Sequence, residues 1–157
     1  MRSDRTKRHP PLDEVSKAII TQLQQDGRRS YASIGKVVGL SEAAVRQRVQ
    51  RLTDAGVMQV VAVTDPMELG FARQAMVGVR VTGQIEPVAD AIAGLDEVDY
   101  VVVTAGSYDL LAEVVAESDE HLLGIISDQI RSIEGVLSTE TFMYLHLRKQ
   151  TYSWGVR

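Results

Sequence analysis

The sequence predicts an α+β protein, in which an N-terminal winged helix-turn-helix domain precedes a C-terminal ferredoxin-like βαββαβ sandwich. Three observations support this fold class. Three short helical patterns with capping residues fill the first third of the chain, strand-type alternation follows them, and a β-α-β order then occurs twice. We expect a basic arm over residues 1–11, a helical domain with a hinge strand over 12–64, and a second domain over 65–157.

The first helix is predicted by an apolar stripe. Apolar residues recur at spacings of three and four, as on one side of an amphipathic helix: Leu12, Val15, Ile19 and Leu23. Asp13 is a suitable N-cap, and Gly27 is a suitable stop. The residues before this helix are polar and basic and end in Pro10-Pro11, so we expect a disordered arm there.

Two further helices are predicted by their caps. Ser30 caps the second helix and Ser41 the third, while Gly39 and Gly56 end them. Only three residues separate the two helices, and a short turn containing glycine is typical of a helix-turn-helix motif. The segment Val57–Thr64 is strand-like, and we interpret it as a wing or a hinge.

The second part of the chain has the alternation of a sheet. Asp65-Pro66 is turn-forming and marks the boundary between the domains. Strands are predicted over 75–81, 98–104, 110–116 and 136–147, and helices over 85–95 and 119–133. This order predicts a four-stranded antiparallel sheet with both helices on one face. Apolar residues that occur on both faces of the strands indicate a subunit interface: Met76, Val101, Val103, Leu111 and Val115.

Composition excludes several classes of function. The chain has no cysteine, which removes disulfides, thiolate metal sites and a thiol nucleophile. His9, His121 and His146 are scattered, and no metal-ligand motif or phosphate-binding glycine loop is present, so we expect neither catalysis nor a cofactor. No apolar run approaches the ~20 residues of a membrane span. We therefore expect a cytoplasmic protein.

The charge is divided unequally along the chain. Residues 1–64 contain eleven Lys and Arg against six Asp and Glu, a balance of +5. Residues 65–157 contain the remaining six basic and fifteen acidic residues, a balance of −9. This asymmetry predicts a polyanionic partner for the first domain alone, and a different task for the second.

The third helix has the residues that major-groove recognition requires. Its buried side is predicted to hold Val45, Val49 and Leu52. Its other residues are short, amide-bearing or basic: Ala43, Arg46, Gln47, Arg48 and Arg51. Short residues permit close approach to DNA, amides reach base edges, and flanking arginines reach both phosphate walls. Ser30 and Ser41 open helices whose free N–H groups bind phosphate. The alternative is an ordinary solvated arginine face.

A loop in the second domain has groups suited to a zwitterion. Gly106 permits a ligand to approach the backbone closely, and Ser107 adds a hydroxyl group. Tyr108 is placed to form one side of the binding site, and Asp109 supplies a carboxylate. An amino acid needs donors for its carboxylate and an acceptor for its ammonium group. The alternative is a plain β-turn, in which glycine and aspartate serve the backbone only.

These residues together resemble a known family. The segment from Leu12 to Met58 is similar to the DNA-binding domain of the leucine-responsive/asparagine-type (Lrp/AsnC) regulators. The matching elements are Leu12-Asp13, Asp26-Gly27-Arg28, Gly39-Leu40-Ser41, Val45, Arg48, Leu52 and Gly56-Val57. In the second part, "VTAGSYDLLAEVVA" and "IEGVLSTETF" resemble the family's strand–loop–strand and its last helix-to-strand passage. The resemblance covers about residues 12–147.

The resemblance implies a transcriptional regulator. It implies double-stranded DNA as one partner, a small effector (usually an amino acid) bound between subunits, and a homodimer that assembles into tetramers or octamers on the nucleoid. Ala105 and Ser107 depart from the Thr-Gly and acidic residue frequent in the family, so effector preference stays open. Two alternatives also stay open, an architectural DNA-binding protein that ignores metabolites and a stand-alone metabolite-sensing module.

Overall fold

The computed structural model describes residues 12–151 and 155–156; the arm predicted over residues 1–11 lies outside the described residues. The chain divides into two compact units. One ends at Val63 and also takes in the segment from Lys149, and the other runs from Thr64 to Arg148. We call them the helical unit and the sheet unit.

Three helices form the helical unit, as their caps predict. Their bounds are Glu14–Gln25 (α1), Tyr31–Val38 (α2) and Glu42–Asp54 (α3). Each begins after a side chain that caps it, namely Asp13, Ser30 and Ser41. The helices enclose a core of Ile19, Leu23, Ile34, Val45 and Val49. The turn between α2 and α3 depends on Gly39, whose φ of 72° favours glycine.

The close approach of α2 to that turn depends on a second glycine. A Cβ atom added to Gly35 would lie 2.4 Å from the backbone oxygen of Leu40, which no real contact tolerates. The amide of Leu40 also donates to the carbonyl of Gly35 at 2.9 Å. The absence of a side chain at Gly35 therefore allows the backbone of the turn to pack directly on α2.

The strand expected over Val57–Thr64 is not formed. The segment is irregular, and its valines Val60, Val61 and Val63 are exposed. A strand requires a hydrogen-bonded neighbour, and the four strands of the sheet, as described, pair only with one another. The apolar pattern of this segment therefore predicted a strand for which the sheet offers no partner.

The sheet unit is a four-stranded antiparallel sheet. Its strands are Arg73–Val81 (β1), Val98–Val103 (β2), Leu110–Ala116 (β3) and Val136–Met143 (β4), in the spatial order β2-β3-β1-β4. Two helical segments cover one face: Ile85–Ile92 (α4) and Asp119–Gly124 (α5), which continues as a π-helical turn over Ile125–Ile130. Val77 and Val79 of β1 and Leu110 of β3 lie in the core beneath them.

The other face of the sheet is not covered by a helix. Because side chains alternate along a strand, Met76, Gly78 and Arg80 lie opposite the core valines of β1. We call this surface the open face. Val101 and Val103, named among the apolar residues that indicate a subunit interface, do not lie on this face, because they pair with the core residues Ala112 and Leu110. The last strand also ends earlier than predicted, at Met143.

Candidate nucleic-acid and effector sites

The exposed side of α3 carries most of the residues predicted from the sequence to contact DNA. Val45, Val49 and Leu52 are buried, as their spacing requires. Four candidate side chains lie exposed on the rest of the helix: Ala43, Arg46, Gln47 and Arg51. One further candidate, Arg48, is half-buried. The helix therefore offers short, amide and guanidinium groups along one solvent-facing surface.

Arg46 is held by two neighbours. Its guanidinium donates to Glu42 at 2.8 Å, and it also lies 5.3 Å from the ring centroid of Tyr31. Tyr31 begins α2 and packs partly against the core. This ring thus joins the start of α2 to the exposed side of α3 by a cation–π contact. Sequence reasoning missed Tyr31, and a lone aromatic at a helix start gives no sign of such a contact.

Arg48 connects α3 to the cap of α1. Its Nη1 donates to Asp13 Oδ2 at 2.7 Å and to Ser16 Oγ at 3.1 Å. The hydrogen bonds from Ser16 and from Arg48 lower the pKa of Asp13 from 3.8 to about 2. Arg48 therefore links α3 to the start of α1, and its side chain is still 28% exposed.

The arginine at the end of α3 is the least constrained. Arg51 makes only long contacts within its own turn, to the backbone oxygen of Gln47 at 3.4 Å and to its side-chain oxygen at 3.5 Å. At such distances these bonds are weak. Arg51 and Gln47 are therefore able to reorient toward a ligand at little cost.

The two serines cap their helices. Ser30 Oγ accepts from the amide of Ser33 at 3.2 Å, and Ser41 Oγ accepts from the amide of Ala44 at 3.2 Å. Both serines are exposed. The N-terminal ends of α2 and α3, where helix amides carry partial positive charge, therefore face solvent.

The loop between β2 and β3 is built into the end of the sheet. The amide of Thr104 donates to the carbonyl of Asp109 at 2.8 Å, which closes the loop. Gly106 and Ser107 lie exposed at its tip, and a Cβ added to Gly106 would meet nothing within 4 Å. The loop thus leaves one side of its backbone open.

Asp109 is already engaged by the backbone of β1. Its amide donates to the carbonyl of Val79 at 2.9 Å, and its Oδ2 accepts from the amide of Val81 at 2.7 Å. Val81 lies beside the irregularity at which β1 shifts its register against β4. The carboxylate therefore satisfies an N–H of a neighbouring strand at a break in the ladder, rather than an N–H of its own turn as the β-turn alternative expects.

Tyr108 lies flat on the open face. A Cβ added to Gly78 would come within 2.7 Å of the Tyr108 ring, so the ring occupies the space that a side chain would take. Its hydroxyl donates to Glu140, and its ring meets Phe142 edge-on at 5.9 Å. The Arg80 guanidinium lies 5.6 Å from the ring centroid.

Three of these neighbours were not anticipated from the sequence. Gly78, Arg80 and Glu140 come from β1 and β4, far along the chain from the loop. Gly78 and Glu140 are direct partners across the two strands. Gly78 and Glu140 lie beside Tyr108 only because of the register in which β1 pairs with β4. The alternation of residues within one strand does not predict the register between two strands.

A second polar group lies further along the open face. Gln74 donates to Glu113 at 2.9 Å. Burial, with the charge and hydrogen bond of Glu113, raises the pKa of Tyr144 to about 12. The Tyr144 hydroxyl therefore stays protonated and remains a donor at neutral pH.

Neither a metal site nor a membrane span was found in the described part of the chain. No three or more acidic or histidine side chains there converge as metal ligands. Within residues 12–151 and 155–156, none of the helices has the length and apolar character that a membrane span requires.

A capped helix-turn-helix unit with a basic third helix, joined to a ferredoxin-like sheet unit, defines the class of transcriptional regulators that combine a DNA-binding and a ligand-binding domain. Residues 12–53 match the AsnC-type helix-turn-helix domain, and residues 74–154 match the Lrp/AsnC ligand binding domain. The chain belongs to the Lrp/AsnC family. It is a DNA-binding transcriptional regulator and not an enzyme.

Relatives of this chain extend over nearly its whole length. It is 36% identical over 143 residues to the HTH-type transcriptional regulator FL11 of Pyrococcus horikoshii, covering 90% of this chain and 94% of that protein. It is 34% identical over 138 residues to the HTH-type transcriptional regulator LysM of Sulfurisphaera tokodaii, covering 87% of this chain and 96% of that protein.

Solved structures share the fold. A transcriptional regulator from Neisseria meningitidis in complex with L-Met has a TM-score of 0.78 and 25% identity, covering 90% of this chain and 95% of that chain. AsnC of E. coli has a TM-score of 0.74 and 25% identity, and the match covers 90% of this chain and 97% of that chain.

Proposed function

We propose that this regulator binds specific double-stranded DNA sequences in the cytoplasm, on the nucleoid, and that a small effector, an amino acid, modulates the binding. The observation that carries the proposal is the exposed side of α3. It combines Ala43 and Gln47 with two exposed arginines and belongs to the helical unit, whereas the acidic residues are concentrated in the sequence of the sheet unit. This is the composition that a major-groove helix requires.

The candidate DNA contacts fall into two kinds. Ala43 and Gln47 are suited to base edges, because one is short and the other has an amide that pairs with adenine. Arg46 and Arg51 are suited to phosphates, as are the exposed helix starts at Ser30 and Ser41. Phosphate contacts fix the position of the helix, and base contacts give it sequence preference.

Arg48 is the contact that needs the most careful test, because it also bridges α3 to Asp13. If Arg48 binds a phosphate, Arg48→Ala weakens binding to every sequence and lowers the slope of log affinity against log salt by about one. The matched control is Asp13→Asn, which breaks the bridge but keeps the arginine. It should leave the salt slope unchanged. An equal slope for wild type and Arg48→Ala would remove Arg48 from the interface.

The effector part of the proposal rests on the β2–β3 loop. Gly106, Ser107, Tyr108 and Asp109 lie at one end of the sheet, with the loop tip exposed. The structural neighbour in complex with L-Met supports an amino acid as the class of effector. A binding partner that alters assembly couples to DNA affinity by about 1–3 kcal/mol in typical cases.

A homodimer that assembles into tetramers or octamers fits the surfaces of the chain. The irregular segment over 57–64 exposes Val60, Val61 and Val63, and the open face exposes Phe142. Unpaired strand-like segments and large apolar patches are typical of subunit contacts. Paired α3 helices would then read half-sites about 34 Å apart on one side of DNA.

The experiment that tests the proposal combines the two activities. The full chain is screened by thermal shift against the twenty amino acids, and each hit is added to a DNA-binding titration. A ligand at ~100 times its Kd adds ~2.7 kcal/mol of stability, which is readily seen. A hit that also changes DNA affinity supports effector control. DNA binding without any hit, at affinities that depend on salt but not on sequence, would instead identify an architectural protein.

A further inference from the structure

The start of α2 places an aromatic ring beside an arginine of α3. Tyr31 is the first residue of α2, and its ring centroid lies 5.3 Å from the guanidinium carbon of Arg46. A guanidinium within about 6 Å of a ring centroid is attracted to the face of the ring. The contact joins the two helices of the helix-turn-helix, so it depends on the turn between them and not on one helix alone.

The position of the ring is set by the fold of the helical unit. Gly39 and Gly35 allow the backbone to turn so closely that α3 begins three residues after α2 ends. Ser30 caps α2 immediately before Tyr31, and the Tyr31 side chain packs partly against the core of the helical unit. The ring is therefore held independently of Arg46 and offers that side chain a fixed surface.

Arg46 needs such a surface because its own helix holds it weakly. Its side chain is 65% exposed, and it pairs with Glu42, one turn earlier in α3, at 2.8 Å. An exposed ion pair at this spacing contributes little. The Tyr31 ring approaches the guanidinium from a second helix, and the two contacts together restrict a long side chain that otherwise samples many rotamers.

The restricted arginine keeps donors for a ligand. Its Nη2 donates to Glu42, and within the part of the chain that the structure describes its other N–H groups have no hydrogen-bond partner. Arg46 precedes Gln47 and follows Ala43 by about one turn, and these are the two residues suited to base edges. A guanidinium bound to a phosphate at this point would fix how both residues meet the groove.

We propose that the ring of Tyr31 positions Arg46 for a DNA phosphate, so that the arginine side chain is ordered before DNA arrives. This rests on the proposed function of α3 as the DNA-binding helix, and it adds a residue of α2 that acts through the arginine. An interface that must order such a side chain on binding is about 2- to 10-fold weaker than one in which it is ordered beforehand. Tyr31 is thus a positioning residue, and Arg46 is the residue that meets the phosphate.

Substitutions at the two positions separate positioning from charge. The full-length wild type first enriches a duplex from a random DNA library, and affinities for that duplex are measured at several salt concentrations. Arg46→Gln removes a phosphate contact, so it should lower the slope of log affinity against log salt by about one. Tyr31→Leu keeps the charge of Arg46, so it should weaken binding about 2- to 10-fold with an unchanged slope. Tyr31→Phe keeps the face of the ring and should bind as wild type.

The double variant gives the decisive comparison. In the Arg46→Gln background, Tyr31→Leu should leave DNA affinity unchanged, because the ring acts only through the guanidinium. A role of Tyr31 in the fold alone would instead weaken DNA binding equally in both backgrounds. Val15→Ala is the matched control, because Val15 of α1 also packs partly against the core of the helical unit. It should lower the stability measured by urea unfolding and leave DNA affinity unchanged.

Three outcomes overturn the role of Tyr31 while wild type still binds DNA, and the proposed function then stands. Equal affinities of wild type and Tyr31→Leu show that the ring does not position Arg46. A loss of the same size with and without Arg46→Gln shows that Tyr31 supports the fold instead. Equal losses in Tyr31→Phe and Tyr31→Leu show that the hydroxyl and not the ring makes the contact. If wild type enriches no sequence, the unselected library serves as the probe, because phosphate contacts do not depend on sequence. If wild type binds no DNA, the proposed function and the role of Tyr31 both fail.

Discussion

The helical unit and the sheet unit assemble their candidate sites in opposite ways. In the helical unit, one stretch of chain from Ser41 to Arg51 holds most of the proposed DNA contacts. In the sheet unit, the loop at 106–109 meets Gly78, Arg80 and Glu140 only because β1, β3 and β4 are neighbours. A helix site is thus a local property of the sequence, whereas a sheet-face site depends on the register of distant strands.

The two units also differ in the atoms that lie against a buried glycine. Gly35 faces a backbone oxygen of the turn, whereas Gly78 faces the ring of a side chain. A backbone atom moves only if the turn changes, but a ring can rotate away. The same substitution should therefore damage the fold in one unit and the site in the other.

The largest effect is expected for Gly35→Ala. The new Cβ would lie 2.4 Å from the Leu40 oxygen, so the turn between α2 and α3 must open. Overpacking of this kind costs up to about 3 kcal/mol, and this outweighs the helix propensity that alanine adds. Urea unfolding should show the loss, and DNA affinity should fall because α3 is displaced. Gly106→Ala, whose Cβ meets nothing, is the control and should stay within about 0.5 kcal/mol of wild type. A stabilised Gly35→Ala chain would contradict a rigid turn.

The next effect is expected at Asp109, where structural and ligand roles can be separated. Asp109→Ala leaves the Val81 amide without its acceptor, which costs about 1–3 kcal/mol. Asp109→Asn keeps an acceptor oxygen and should retain most of that stability by thermal unfolding. Effector response then decides the second role. A normal response in the asparagine variant means that Asp109 serves the sheet alone, and a lost response at full stability places it in the site.

Features that depend on neighbouring residues in the chain could be predicted from the sequence, whereas features that depend on the register of distant strands could not. Asp13, Ser30 and Ser41 were recognised as caps because a cap acts on amides two or three residues away. The order of strands was recognised from alternation and the repeated β-α-β pattern. The partners of Tyr108 were not, because a bulge or a shift of one residue in β4 would have turned Glu140 to the other face. The prediction of a strand over 57–64 was wrong for a related reason, because the pattern of residues in a strand does not show which strand it pairs with.

A smaller effect on stability is expected for Gly78→Ala. The Tyr108 ring, which would lie 2.7 Å from the new Cβ, should rotate off the sheet and lose its contacts with Glu140 and Phe142. We expect a cost of about 1 kcal/mol, in the range of a lost aromatic pair. Effector affinity should fall by more than the stability suggests. The double variant Gly78→Ala with Tyr108→Ala should be no worse than Tyr108→Ala alone, because the glycine acts only through the ring. Additive losses would show a separate role for Gly78.

The smallest expected effect is a dependence of the stability of the helical unit on acidic pH, through Asp13. The pKa of Asp13 is about 2 in the folded chain because Ser16 and Arg48 hydrogen bond to its carboxylate, below the usual 3.8. A lowered pKa means that the charged form stabilises the fold at pH above about 4, and that this contribution is lost as pH falls from about 4 to 2. Asp13→Asn still caps α1, so it removes the charge alone. Its melting temperature should lie below that of wild type at pH 6, and the two should converge near pH 2.

Asp119 in the sheet unit gives the comparison for that measurement. Its pKa is also lowered, by the hydrogen bond from Arg73, whose Nη2 donates to Asp119 Oδ2 at 3.0 Å. Asp119→Asn should therefore show a gap from wild type that closes in the same direction with falling pH. DNA affinity separates the two, because Asp13 holds Arg48 and α3, whereas Asp119 holds the start of β1. At pH 6, DNA affinity should change in Asp13→Asn and not in Asp119→Asn. Equal DNA binding by both would mean that the bridge from Arg48 to Asp13 stabilises α1 without positioning the recognition surface.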